Sequence, residues 1–115
     1  MFLKEGLSFN IKILDDVVNV RICGQVFNRE THEWSLGITY PDQMKVEIST
    51  LGYYGGQLSQ TTIKKTLCHE LVHCILDSGE YGDLSNNEAL VEWIARNMYK
   101  LINDKHTVDI IKINK

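Results

Sequence analysis

Proline occurs only once in this chain of 115 residues, and no apolar run is long enough to span a membrane. A bilayer-spanning helix needs about 20 mostly apolar residues. The first residues also lack the hydrophobic segment and small-residue cleavage site of a signal peptide. No stretch has the composition of a linker. We therefore predict a single domain over residues 1–115 and expect it in the cytoplasm.

Cysteine and positive charge are also scarce. Of the three cysteines, Cys68 and Cys74 lie six residues apart on one predicted helix, too far apart for a disulfide. We expect buried, reduced thiols, which suits a reducing compartment. The net charge of -3 and the pI of about 5.7 give no positive field to attract nucleic acid or an anionic membrane. Neither is expected as a partner.

The periodic segments predict an α+β fold, with strands first and helices afterwards. Apolar and polar residues alternate over residues 7–13 and again over 18–22, which indicates a hairpin with one buried face. A second hairpin is predicted from strands at 36–40 and 44–49, around a turn at Pro41. The segment NRETHEW, residues 28–34, is predicted to be a polar loop.

Two helices follow a glycine-rich loop. The first should run from about Ser59 or Thr61 to Ser78, because hydroxyl side chains precede it and Gly79 follows it. The second should run from Ser85 to about residue 103. The last segment, HTVDIIKINK, has a pattern that suits either an edge strand or a frayed tail.

The first helix carries the segment LCHELVHCIL, with His69 and His73 four residues apart and Glu70 between them. On a helix, side chains four apart lie on one face, so both imidazoles can bind one ion at about 2.0 to 2.1 Å. Glu70 points about 100° around the helix, beside the ion's open position, where it can act as a general base. Chance gives this H-E-x-x-H pattern in roughly one of a hundred chains of such composition.

Catalytic zinc needs a third protein ligand. The metzincin pattern would place a glycine and a histidine where this chain has Leu76 and Gly79, so that subclass is excluded. A turn between the two helices would bring Glu88 and Glu92, on one face of the second helix, back over the first. Glu88, nearest the turn, is the predicted ligand. Glu92 is predicted to hold a histidine's other ring nitrogen.

Other assignments stay open from the sequence. Glu92, His106 or His32 could be the third ligand instead, or the protein could supply none. Ser85 and Glu88 also match the S-x-x-E capping box, in which the Glu88 carboxylate would bond the backbone N–H of Ser85. A cap alone would not account for Glu92.

HELVH followed by NEALVEWIA resembles the gluzincins, and the whole segment from about residue 37 to residue 100 looks like the compact phage and prophage metallopeptidases related to the ImmA/IrrE group. The resemblance implies a minimal zincin, in which a small antiparallel sheet packs on the active-site helix and a substrate strand adds to the sheet edge. It also implies that Glu88 opens the second helix as zinc ligand and that Glu92 supports a histidine.

These assignments predict a zinc metallopeptidase acting on a peptide or protein substrate. Zinc held by His69, His73 and Glu88 would lower the pKa of a bound water towards about 7, and Glu70 would accept its proton. Tyr53, Tyr54 and Tyr81 are candidate donors to the oxyanion. One alternative is a non-catalytic zinc-binding phage accessory module, although a structural site usually has four protein ligands. Another is a SprT-like, DNA-associated protease, which the acidic composition disfavours.

Overall fold

Six strands precede three helices in the computed structural model, which describes residues 2–13 and 15–103. The strands are β1 (Ser8–Ile13), β2 (Asp16–Cys23), β3 (Val26–Asn28), β4 (Glu33–Ser35), β5 (Gly37–Tyr40) and β6 (Lys45–Ser49). The helices are α1 (Gln60–Ser78), α2 (Gly82–Ser85) and α3 (Glu88–Asn103). The α+β class and both predicted hairpins, β1–β2 and β5–β6, are confirmed.

The main sheet is mixed, and the prediction of an antiparallel sheet is wrong in this respect. Its strand order is β1-β2-β6-β5, with β2 and β6 parallel. The two hairpins join through their second strands because these carry the most buried alternating residues, Val20 and Ile22 on β2 and Val46 and Ile48 on β6. This arrangement leaves β5, which has no fully buried residue, at one edge of the sheet.

A short second sheet, β3–β4, replaces the polar loop predicted over residues 28–34. The side-chain oxygen of Asn28 accepts hydrogen bonds from the backbone N–H groups of Glu30 and Thr31, and His32 adopts a positive φ of 59°. These features close the turn between the two strands. Strands of three residues are too short for an alternating pattern to be visible in the sequence.

Helix α1 is buried on two sides. Ile63 and Cys74 pack on the sheet in a core that also contains Val20, Ile22, Val46 and Ile48. Cys68 and Val72, on another side, pack against Val91 and Ala95 of α3. The predicted bounds of this helix are confirmed, with Ser59 as the N-cap that accepts a hydrogen bond from the N–H of Thr62. Helix α1 is therefore the central element of the domain.

The predicted second helix begins three residues later than expected. Ser85 ends the short helix α2, and α3 begins at Glu88. The capping box is wrong, because Asn87 is the residue that caps α3: its side-chain oxygen accepts a hydrogen bond from the N–H of Leu90, 3.1 Å away. Both Ser85 and Glu88 are thereby left free for other contacts.

Residues 106–115, predicted as an edge strand or a tail, lie outside the described residues. Among the helices that the structure describes, none is long and apolar enough to cross a membrane.

The cap gives a stability prediction for the helix that carries Glu88. Asn87→Ala should lower the free energy of unfolding of the metal-free protein by about 1 kcal/mol, because an N–H at the start of α3 loses its acceptor. Asn87→Ser, which can still cap, should recover most of this loss in urea denaturation. An unchanged free energy of unfolding in Asn87→Ala, or no recovery in Asn87→Ser, would contradict the assignment.

Candidate metal centre

The third side of α1 faces a cleft instead of a core. Thr62, Thr66, His69, His73 and Asp77 recur at three- and four-residue intervals along this side and line the cleft. The opposite wall comes from β5 and from the hairpin β3–β4, and the start of α3, with Glu88 and Glu92, closes the cleft beside the histidines. Because both other sides of α1 are packed, the direction in which this side faces is fixed.

His69 and His73 converge on the carboxylate of Glu88, as the sequence predicts. The Nε2 atom of His69 lies 3.1 Å from one Glu88 oxygen, and the Nε2 atom of His73 lies 3.2 Å from the other. One ligand atom from each of the three residues lies within 4.8 Å of the others. These three residues could therefore hold a metal ion.

The other ring nitrogen of each histidine is held by a separate acceptor. The Nδ1 atom of His69 lies 2.8 Å from the Glu92 carboxylate, and the Nδ1 atom of His73 lies 2.9 Å from the Ser85 hydroxyl. Such partners fix the tautomer and orientation of metal-binding histidines. The predicted role of Glu92 agrees with this contact, whereas the sequence pattern at Ser85 indicates only a helix cap.

The donor types, two imidazole nitrogens and a carboxylate, are among those that zinc binds. Bonds of about 2.0 to 2.1 Å in a tetrahedral site imply ligand atoms about 3.3 Å apart. The His69 nitrogen lies 3.1 Å from one Glu88 oxygen and the His73 nitrogen 3.2 Å from the other, so small shifts would bring the three residues to one ion. His69 also has a carboxylate oxygen at both ring nitrogens. A neutral imidazole donates from one nitrogen only, so the second contact needs a shared cation, either a proton or a metal ion.

Glu70 lies near the three candidate ligands and is held by the edge strand. Its side chain is buried, and one carboxylate oxygen accepts a 2.7 Å hydrogen bond from the Thr39 hydroxyl. Burial raises the pKa of the Glu70 carboxyl above its ordinary value, although the Thr39 hydrogen bond and the nearby histidines oppose this rise. A raised pKa suits a group that accepts and returns a proton near neutral pH.

Gly37 allows β5 to approach α1 closely enough for this contact. A Cβ atom at this position would lie 2.8 Å from a methyl carbon of Thr66 and 2.9 Å from Cγ of Glu70. Both distances are shorter than van der Waals contact, so a side chain here would displace the carboxylate. Gly37 and Thr39 therefore set the position of Glu70 from the opposite wall, and the sequence gives no signal for either.

The other predicted candidates lie in different places. His32 is exposed at the β3–β4 turn, away from the cluster, and His106 lies outside the described residues. Of the three tyrosines predicted as candidate donors to the oxyanion, Tyr53 lines the cleft. Cys68 and Cys74 are buried and form no disulfide, as expected, and burial raises the pKa of both thiols, that of Cys74 to about 11. Both should therefore stay protonated.

Comparison with known proteins gives no family for the chain. No protein-family model, curated protein or solved structure matches it. The resemblance to gluzincins stays a prediction, and the metal centre is interpreted from its own geometry.

The geometry predicts a ranking of metal affinities. Protein purified without chelator or histidine tag should contain close to one zinc per chain by elemental analysis, and His73→Ala or Glu88→Ala should lose most of it. Glu92→Ala and Ser85→Ala, which remove only supports, should weaken zinc binding by roughly 10- to 100-fold in chelator competition.

Glu33→Ala, on the exposed side of β4, is the matched control and should bind like the unaltered protein. Zinc at the unaltered level in His73→Ala would refute the site. A greater loss for Glu92→Ala than for Glu88→Ala would make Glu92 the ligand.

Proposed function

We propose that this protein is a zinc-dependent metallopeptidase of the compact gluzincin type. The observation that carries the proposal is the convergence of two anchored histidines and one carboxylate beside a buried glutamate. Three protein ligands with a further position open to substrate are typical of catalytic zinc, whereas structural zinc usually has four. The described residues offer no fourth donor to this cluster.

The exposure of the ligands also favours a site that reaches substrate. The histidine side chains are 21% and 15% exposed, while that of Glu88 is 68% exposed. The centre is thus closed towards α1 and open towards the cleft. A zinc ion bound here would polarise a peptide carbonyl and lower the pKa of a water molecule towards about 7.

Glu70 is the proposed general base. One of its oxygens is held by Thr39, so the other remains for a water molecule beside the metal ligands. Glu70 would take a proton from that water as it attacks the peptide carbonyl, and would pass the proton to the leaving amine. Thr39 is a positioning residue, because its contact is with Glu70.

The edge strand β5 offers a binding surface for an extended peptide. The carbonyl of Leu36 accepts a hydrogen bond from Ser49 on β6, so the backbone groups of the alternate residues Gly37 and Thr39 face the free edge. No other described strand pairs with this edge. A peptide can add there as a further strand, beside Glu70 and the histidines.

Replacement of Glu70 separates this function from a zinc-binding module without catalysis. Glu70→Gln keeps the size of the side chain but removes its basicity, so hydrolysis should fall by about 10² to 10⁴-fold. Zinc content and melting temperature should barely change. The assay uses a broad peptide library with mass-spectrometric detection, and chelation followed by zinc addition as the control. Equal cleavage by the glutamine variant would refute the mechanism, and capture of a partner without cleavage by either protein would favour the module.

Thr39 gives a second test of the same mechanism. Thr39→Val is nearly isosteric but cannot hydrogen-bond to Glu70, so kcat should fall by about tenfold, at the lower end of what misplacing a catalytic group costs. Zinc affinity and KM should change little. Thr39→Ser restores the hydroxyl and should recover most of kcat. If the serine variant is as slow as the valine variant, the hydroxyl is not what positions Glu70.

A further inference from the structure

The cleft beside the metal centre carries opposite charges at its two ends. It has a volume of about 700 Å³ and follows α1 from Thr62 to Asp77, a length of about 22 Å at 1.5 Å per residue. Lys65 lies one turn before His69, and Asp77 lies one turn after His73. The two histidines therefore lie between a lysine and an aspartate on the same helix.

Neither of these two charges is neutralised within the described part of the chain. Lys65 is the one lysine or arginine among the described residues that line this cleft. Its ammonium group lies over the ring of Tyr99, 5.4 Å from the centroid. Asp77 is half-buried. The ion pairs of the described residues are confined to the metal centre, so both Lys65 and Asp77 can pair with a ligand.

The edge strand gives this charge separation a direction. Gly37 lies against Thr66 and Glu70, and the Thr39 hydroxyl interacts with Glu70 and, one turn further on, with Cys74. Strand β5 thus runs in the same direction as α1. A peptide that pairs antiparallel with β5, the more stable arrangement, would have its C-terminal side near Lys65 and its N-terminal side near Asp77.

We propose that the cleft selects peptides with a carboxylate on the C-terminal side of the bond at the metal centre and a cationic group on the N-terminal side. The carboxylate, from Asp, Glu or a free C-terminus, pairs with Lys65, and the cation pairs with Asp77. The midpoint of His69 and His73 lies six residues, or about 9 Å, from each charge along the helix, and three residues of an extended peptide span about 10 Å, so each charge belongs about three residues from that bond. This inference rests on the proposed peptidase function.

Binding of charged peptides to a zinc-loaded, non-hydrolysing protein tests the inference without relying on turnover. The protein is Glu70→Gln, and the probes are fluorescent peptides of equal composition with blocked ends. One has arginine towards its N-terminus and glutamate towards its C-terminus, and the other has the two exchanged. The first peptide should bind about tenfold more tightly at low salt, because each of the two ion pairs contributes a few-fold in affinity. Added salt should reduce the difference. A third peptide with a free C-terminus and no glutamate distinguishes a terminal from a side-chain carboxylate.

Substitutions assign the two ends of the cleft. When Lys65→Gln is added to the Glu70→Gln protein, the preference for glutamate on the C-terminal side should fall about two- to five-fold. Lys65→Glu should invert the preference on that side of the peptide only. Asp77→Asn should reduce the preference for arginine on the N-terminal side about two- to five-fold. Lys64→Gln is the matched control, because Lys64 is adjacent in sequence but does not line the cleft. Its preference should be unchanged.

The outcomes separate this inference from the proposed function. Equal binding of the two peptides, or an unchanged preference in Lys65→Glu, overturns the inference. Tighter binding of the exchanged peptide overturns it too, because the peptide would then run parallel to β5. If the unaltered protein cleaves both peptides equally, peptidase function stands and the charge selection fails. If it cleaves neither but binds them with the expected preference, the charge selection stands and the peptidase function fails.

Discussion

The packing of α1 on two sides is the constraint on which the rest of the structure depends. The sheet covers one side of the helix and α3 covers another, so the rotation of the helix about its axis is fixed by apolar contacts at Ile63 and Cys74 on one side and at Cys68 and Val72 on the other. The remaining side carries the histidines. Their convergence therefore does not depend on the metal, because the burial that stabilises the fold also sets the direction of both side chains.

The opposite wall of the cleft positions the Glu70 side chain. Edge strand β5 has no fully buried residue and would be a weakly specified element by itself. Its close approach at Gly37 and the hydrogen bond from Thr39 join it to Glu70. At its outer edge this strand pairs with no other described strand, and the Gly37 carbonyl accepts a hydrogen bond from the Ser35 hydroxyl. One short strand thus both holds Glu70 and forms part of the cleft wall.

Much of this arrangement could be predicted from the sequence because it depends on local periodicity. The spacing of His69 and His73 fixes a shared helix face, and the bounds of α1 follow from Ser59 and Gly79. Long-range features could not be predicted. The parallel pairing of β2 with β6 depends on which hairpin strands are most buried, and the contact of Thr39 with Glu70 joins residues 31 positions apart. Ser85 matched a local capping pattern, yet its hydroxyl lies 2.9 Å from His73.

The start of α3 shows how one local choice decides the chemistry of the site. Because Asn87 caps the helix, the carboxylate of Glu88 does not turn back towards the backbone, and Ser85 does not have to serve the helix end. Both side chains instead reach α1, Glu88 at the Nε2 atoms of the histidines and Ser85 at the Nδ1 atom of His73. A capping box formed by Ser85 and Glu88 would satisfy the N–H groups of the helix equally well. It would, however, occupy both side chains that contact the histidines. Because Asn87 takes the capping role, Ser85 and Glu88 can both contact the histidines, and an interval of fifteen residues between His73 and Glu88 is enough to bring the candidate ligands together.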